Sequence, residues 1–384
     1  MTMIKQKRKI PIAIPSIGDE EWQALKVPLD SGWLTQGQKV AEFERLFAVR
    51  HQAQKALATT SCTTALHLAL AAMGVGPGDE VIVPAFTWIA TANAVLYCGA
   101  TPVFADVDRD TFNINVEDIS RKITDKTKAI IPVHLFGACA DIDAIRKVIP
   151  NQVMILEDAA CAAGAAYKGK PAGILGDMGA FSFHPRKSIT TGEGGMLTTN
   201  NTELAHRAEI MRNHGAEIPE EVRHLSDKPY LLPDFKLLGF NYRMTDLQAA
   251  VGIVQLAKLD AFINERDQWA NYYYTHLKDL TWLRAQRLLA DCKHAWQACV
   301  FYVDPERAPM PRNTLMEYLK EAGIATRPGT HAVHLLSFYR EKYGIYSDDF
   351  PGARDCDHNT MAIPLHNRMT KDDYDYVIET LRSI

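Results

Sequence analysis

VMILED (Val153–Asp158) and, a little further on, GAFSFHPRKSITTGEGGM (Gly179–Met196) decide how this chain is read. Both open on an apolar run that never alternates with polar residues. Strands buried on both faces of a mainly parallel sheet have that pattern. The first run ends on a carboxylate, Asp158. The second leads through HPR to Lys187, and a loop with three glycines in four residues, GEGG, follows it. Working outward, EVIVP (Glu80–Pro84), TPVFADV (Thr101–Val107) and KAIIPVHLF (Lys128–Phe136) repeat the strand pattern. TTALHLALAAM (Thr63–Met73) and TANAVLYCG (Thr91–Gly99) lie between strands and read as helices. Strand and helix alternate from about residue 55 to 200, which predicts an α/β layered domain.

The pattern changes after about residue 245. Thr245–Leu280 carries the three-and-four spacing of a long helix. A strand follows at HAWQACVFYVD (His294–Asp304), then a helix at RNTLMEYLKEAG (Arg312–Gly323) stopped by its glycine, and a short strand at Ile324–Arg327 cut by Pro328. The expected organisation is a large domain with an N-terminal arm over residues 1–250 and a smaller α+β domain over 251–384.

With 42 basic and 46 acidic residues the net charge is −4, which gives no general attraction to nucleic acid or an anionic membrane. The basic stretch KQKRK (Lys5–Lys9) has no apolar segment behind it and reads as a solvated tail rather than a signal peptide. No apolar run approaches the roughly 18 residues of a membrane helix. Seven scattered cysteines without a CxxC pair fit free thiols in a reducing cytoplasm. Cys356 and His358 lack a second ligand pair, so no metal site is expected.

The chemistry centres on Lys187. A lysine held after a strand by a tight loop can act as a nucleophile, and a carboxylate at the C-terminal edge of a parallel sheet is where such folds place ligand contacts. Pyridoxal phosphate (PLP) requires a lysine for a Schiff base, an acid opposite the pyridine nitrogen, a phosphate cradle and a flat group against the ring. Lys187 and Asp158 supply the first two. TTSCTTALHLAL (Thr59–Leu70) crowds hydroxyls onto a helix N-terminus, where free N–H groups and the helix dipole favour an anion. Ser182 adds a hydroxyl, and Trp88 in PAFTWIAT stands just past a strand end. The nicotinamide alternative has little support: GVGPGD (Gly74–Asp79) follows a helix and precedes a strand, the reverse of a dinucleotide fingerprint.

SGWLTQGQKVAEFE (Ser31–Glu44), the TTALHLAL run, GDEVIVPAFTWIATANAV, EDAACAAGA, GAFSFHPRKSITTGEGG, LGFNYRMTDLQAAVG (Leu238–Gly252) and the closing MAIPLHNRMTKDD occur in a fixed order. In this the chain resembles the nucleotide-sugar aminotransferases of the DegT/StrS type, fold type I PLP enzymes. The resemblance implies a large domain with a mixed, mostly parallel sheet flanked by helices, and a homodimer with shared active sites. It implies that Lys187 carries PLP, that Asp158 keeps the ring nitrogen protonated and that Trp88 stacks on the ring. Cys62, Thr63, Thr64 and Ser182 would lie at the phosphate, and Asn241 would reach the phosphate of the neighbouring subunit. Cys161 stands where the family usually has Gln or His, a departure that replaces a polar contact to the cofactor with a weak hydrogen-bonding group. Some relatives carry histidine in place of the lysine and act as dehydratases.

An ordinary lysine titrates near 10.4, and burial together with Arg186 is expected to lower Lys187. The implied reaction moves an amine from an amino acid, glutamate in most relatives, through pyridoxamine 5′-phosphate (PMP) to a keto or aldehyde sugar. A nucleotide-linked keto-deoxysugar of amino-sugar and surface polysaccharide (lipopolysaccharide) biosynthesis is the expected acceptor. Trp33 and, in TRPGTHAVHLLSFY (Thr326–Tyr339), Arg327, His331 and His334 are the expected substrate contacts. The alternatives are a keto-sugar acid without a nucleotide, a PLP-dependent sugar dehydratase, and a non-catalytic binding protein.

Overall fold

A computed structural model of the chain describes residues 8–218, 228, 230 and 232–384. Seven strands form the central sheet: β1 (Lys55–Thr59), β2 (Glu80–Pro84), β3 (Thr101–Ala105), β4 (Thr127–Ile130), β5 (Met154–Asp158), β6 (Met178–Ser182) and β7 (Gly195–Thr199). They lie in the order β1-β7-β6-β5-β4-β2-β3. Neighbours from β6 through β5, β4 and β2 to β3 are parallel, whereas β7 is antiparallel to both β1 and β6.

Alternate residues of a strand face opposite sides of a sheet, and here both sides are covered. Val81, Val83 and Leu156 pack with Leu66 and Leu70 of the helix Cys62–Ala72. Ile82 and Ile155 face the other way, onto Ile119 and Ile145 from the helices Val116–Lys122 and Ile142–Val148. The unbroken apolar runs are the sequence record of those two contacts. Toward β1 the second face is filled by aromatic rings, with Phe47 and Phe181 edge to face at 5.0 Å.

The run KAIIPVHLF forms a regular strand only as far as Ile130. Pro132 has no N–H to donate to the ladder. The chain nevertheless stays beside β5: the carbonyl of Pro132 accepts from the Asp158 N–H at 2.9 Å, and the His134 N–H donates to the Asp158 carbonyl at 3.0 Å. Asp158 is therefore held by its backbone on the side facing β4.

A second sheet, antiparallel throughout, lies in the order Leu283–Ala285, Cys299–Val303, Thr360–Ile363, Arg327–Pro328. Its core contains Tyr273, Phe301, Leu315 and Tyr374. The helix Asp246–Leu277 runs for 32 residues without a break, so residue 250 lies inside one element. Thr245 caps it, accepting from the Gln248 N–H at 3.2 Å. Of the expected strand Ile324–Arg327, Arg327 pairs with Ala362, while Ile324 instead bridges Ile10 near the start of the chain.

The expected tail over Lys5–Lys9 lies outside the described residues as far as residue 7. Arg8 is not a free solvated residue: it donates to Asp373 at 3.0 Å and lies over the Tyr376 ring. Among the described residues no helix is long and apolar enough to cross a membrane. The Cys356 side chain is buried, whereas His358 on the same helix is exposed.

Candidate active site

A cavity of about 560 Å³ opens at the C-terminal ends of the parallel strands, with residues of the second sheet forming part of its wall. Asp158, the last residue of β5, lies in its depth and is only 4% exposed. Its Oδ2 accepts from the Thr91 hydroxyl at 2.8 Å and its Oδ1 from the Ala160 N–H at 3.1 Å. Burial pushes the carboxyl above the usual carboxylate range; the two donors, with Lys187 and His134, pull it part of the way back.

Lys187 enters from the connection between β6 and β7, and its Nζ donates to Cys161 Sγ at 3.1 Å. Burial works to lower its titration, but the pull of Cys161, Cys62 and Asp158 outweighs it and holds the amine above the ordinary lysine range. This corrects the expectation of a lowered lysine. Arg186, invoked for that lowering, is not among the main influences on Lys187; its own guanidinium is lowered by burial and by Arg327.

The helix Cys62–Ala72 points its first turn at the cavity. Ser61 is its N-cap, accepting from the Thr64 N–H at 3.2 Å. The N–H groups of the first helical residues have no acceptor within a helix, and Cys62 and Thr63 line the cavity together with Ser61. Gly195 allows this approach. A Cβ there would stand 2.4 Å from the Ser61 carbonyl carbon and oxygen and 2.6 Å from the Cys62 nitrogen. Burial pushes the Cys62 thiol well above its ordinary value.

Ser182 at the end of β6 also lines the cavity. Trp88 stands at its rim, 56% exposed. The two-residue strand His331–Ala332 pairs with Phe86–Thr87, and this sets the His331 ring 5.6 Å from that of Trp88. Arg327 completes that wall.

Four expected residues lie elsewhere. Thr64 is occupied in the helix cap, its hydroxyl donating to the Ser61 carbonyl at 2.8 Å and accepting from the Ser61 N–H at 3.0 Å. His334 is fully buried, with its ring 4.9 Å from Phe350, and burial lowers its titration; it is a core residue and not a surface contact. The Trp33 indole N–H donates to the Gln36 carbonyl at 3.1 Å, outside this chain's cavity. Asn241 is exposed and bridges Asn213, also outside it.

Sequence reading missed Thr91 and took Ser61 only as one hydroxyl of the TTSCTTALHLAL run. Ser61 was readable as the residue before an apolar helix. Thr91 gave a weaker signal, a hydroxyl in the first turn of a helix on a face otherwise buried. His184 and Glu193, from either end of the lysine loop, line the cavity as well.

The fit to a phosphorylated pyridine is physical. A buried carboxyl with two donors on its oxygens lies in the same cavity as an amine and an N-terminal helix turn. The only residue type that lets β7 approach that turn is the one present.

Comparison with known proteins gives a consistent result. Residues 15–382 match the DegT/DnrJ/EryC1/StrS aminotransferase family. The chain is 40% identical over 382 residues to the spore coat polysaccharide biosynthesis protein SpsC of Bacillus subtilis, covering 99% of this chain and 98% of that protein. It is 38% identical over 379 residues to the GDP-perosamine synthase of Caulobacter vibrioides, with 98% of each covered. The PLP form of the putative sugar aminotransferase Spr1654 of Streptococcus pneumoniae superposes with a TM-score of 0.90 at 30% identity, with 98% of each chain covered. The α/β fold expected of a fold type I aminotransferase is the fold observed.

Proposed function

The chain belongs to the DegT/DnrJ/EryC1/StrS aminotransferase family, and on that premise we propose that it is a PLP-dependent sugar aminotransferase. It takes the amine of L-glutamate and delivers it to the carbonyl of a nucleotide-linked keto-deoxysugar, in amino-sugar and polysaccharide biosynthesis. The single observation that carries this reading is the pairing of one amine, Lys187, with one buried carboxylate, Asp158, in a cavity bordered by a helix N-terminus.

Lys187 would hold the cofactor and Asp158 would serve its ring nitrogen, with Thr91 orienting the carboxylate. Its phosphate would be held by Ser61, Cys62, Thr63 and Ser182, whose hydroxyls and first-turn N–H groups border the cavity. Bound there, the cofactor supplies an electron sink for the charge left when a proton leaves the carbon beside the transferred nitrogen. The Nζ of Lys187, once free, moves that proton. Trp88 would cover one side of the ring, and His331 and Arg327 would meet the sugar or its anionic substituent.

A second copy completes the site. Asn241 is exposed next to a stretch with exposed Leu232, Phe235 and Leu238, and this supports a homodimer in which Asn241 enters the partner's cavity. Other support comes from the relatives: Spr1654 is known in PLP and PMP forms, and the Caulobacter relative is a GDP-perosamine synthase. An amine rather than an imidazole stands at position 187, which favours amine transfer over dehydration. The enzyme works in the cytoplasm, where its thiols stay reduced.

The test is spectroscopic and then chemical. PLP-loaded protein is recorded before and after L-glutamate, then offered keto-sugars with and without a nucleotide. The visible band is expected to bleach with release of 2-oxoglutarate, and a nucleotide-linked keto-sugar to gain an amine. Lys187→Ala is expected to lose the band and the turnover. Full turnover in that variant would remove Lys187 from the chemistry, and a product lacking a hydroxyl would make the enzyme a dehydratase.

A further inference from the structure

Cys161 lies in the turn after β5, and its sulfur is 3.1 Å from Nζ of Lys187, which comes from the loop after β6. Among the described residues it is the only side chain to which that amine donates. Asp158 is nearby, but Thr91 and Ala160 already donate to its two oxygens. Other titratable groups around the amine are Cys62 from the helix turn, His184 and Arg186 from its own loop, and Glu193 from the returning end of that loop.

We propose that Cys161 is a positioning residue of this site: its sulfur accepts from Nζ and fixes where the Lys187 amine stands in the cavity. A thiol suits this task because it has no strong donor to turn against an ammonium. Burial disfavours a charged amine, and at Lys187 the nearby sulfur is the largest of the influences that oppose burial, ahead of Cys62 and Asp158, and together they prevail. Removing the sulfur takes away the largest influence opposing burial and leaves Cys62 and Asp158 alone against it, so the amine should lose its proton at lower pH. Cys62 and Asp158 pull in the same direction as Cys161 but less strongly.

The inference concerns the lysine on which the proposed function rests, but its test uses no cofactor, so either can fail alone. Full-length protein stripped of cofactor is treated with acetic anhydride across a pH series, and acetylation of Lys187 is followed by peptide mass spectrometry. Cys161→Ala should move the midpoint down by at least about one pH unit. Cys161→Ser keeps a hydrogen-bond acceptor of similar size and should fall between the alanine variant and the parent. A purely structural role would change folding without producing that order. An unchanged or higher midpoint in both variants would overturn the proposal, and so would a serine variant below alanine. If the alanine variant does not fold, the near-isosteric serine variant still decides: a lowered midpoint supports the proposal and an unchanged one ends it.

Discussion

Gly195→Ala should damage the cofactor cradle more than its single methyl group implies. Gly195 heads β7 and is paired with Thr59 on one side and Ser182 on the other. Its backbone conformation is one that any residue adopts, so the requirement for glycine is space. The added Cβ would be 2.4 Å from the Ser61 carbonyl carbon and oxygen, where ordinary contact begins at 3.4 Å. About 1 Å of movement is needed, and both the obstructing atoms are backbone. Ladders on both sides hold β7, so the helix turn at Ser61–Cys62 has to yield. Overpacking of this kind destabilises by about 1–3 kcal/mol, and a misplacement of about 1 Å at reacting groups reduces rates by up to ~10²-fold. Denaturant unfolding measures the first quantity; PLP titration and turnover measure the second. Gly76→Ala is the control, since a Cβ there meets nothing within 4 Å. If Gly195→Ala matched that control in stability and bound PLP as well as the parent, the account of the cradle would be wrong.

Two further outcomes are expected. Glu157 is fully buried and accepts from the Gly173 N–H at 2.6 Å, the Gly176 N–H at 2.6 Å and His134 Nε2 at 2.7 Å. Glu157→Ala orphans two buried donors, His134 and the Gly173 N–H, and one partly buried, the Gly176 N–H; at about 1–3 kcal/mol for each buried donor, unfolding should show a loss of at least about 2 kcal/mol, and a loss under 1 kcal/mol would mean that water reaches these groups. His51, buried against Phe47 and next to Arg50, titrates at about 3, against 6.5 in an ordinary histidine. The unfolded chain then takes up a proton that the folded one refuses. Stability from the neutral ring is complete above pH 6.5 and is lost toward pH 3, at up to about 1.4 kcal/mol per pH unit. His51→Phe should flatten the acid limb of a plot of thermal midpoint against pH, and an unchanged limb would refute the assignment.

How much was readable depended on whether a residue's neighbours were local. EVIVP forms a strand with the expected limits because its five residues are buried from Val81 onward on both faces. KALAT was harder to read: alanine carries little strand preference, and β1 exists through its pairing with β7, far along the chain. Lys187 and Asp158 stand out as candidates from their own surroundings, a strand end and a glycine loop, and both line the same cavity. The titration of Lys187 was misjudged because its deciding partner, Cys161, reaches it across the sheet edge rather than from beside it in the chain. His334 was misread for the opposite reason. A polar residue in a polar-looking loop is in fact enclosed by Phe350 and the chain around it.

The reversal of β7 unites these observations. Ligand contacts in open α/β folds gather at the C-terminal ends of parallel strands, and Asp158, Ser182, Ser61 and Trp88 follow β5, β6, β1 and β2 at that edge. A parallel strand after β6 would have carried the chain away over a face of the sheet, taking the lysine loop with it. Because β7 instead runs antiparallel to β6, the connection over residues 183–194 returns along the edge. That return holds Lys187 over the cavity and starts β7 at Gly195, where the absence of a Cβ brings the strand against the helix turn at Ser61. One change of strand direction thus places both the amine and the anion cradle, and a longer, looser connection between β6 and β7 should weaken both together.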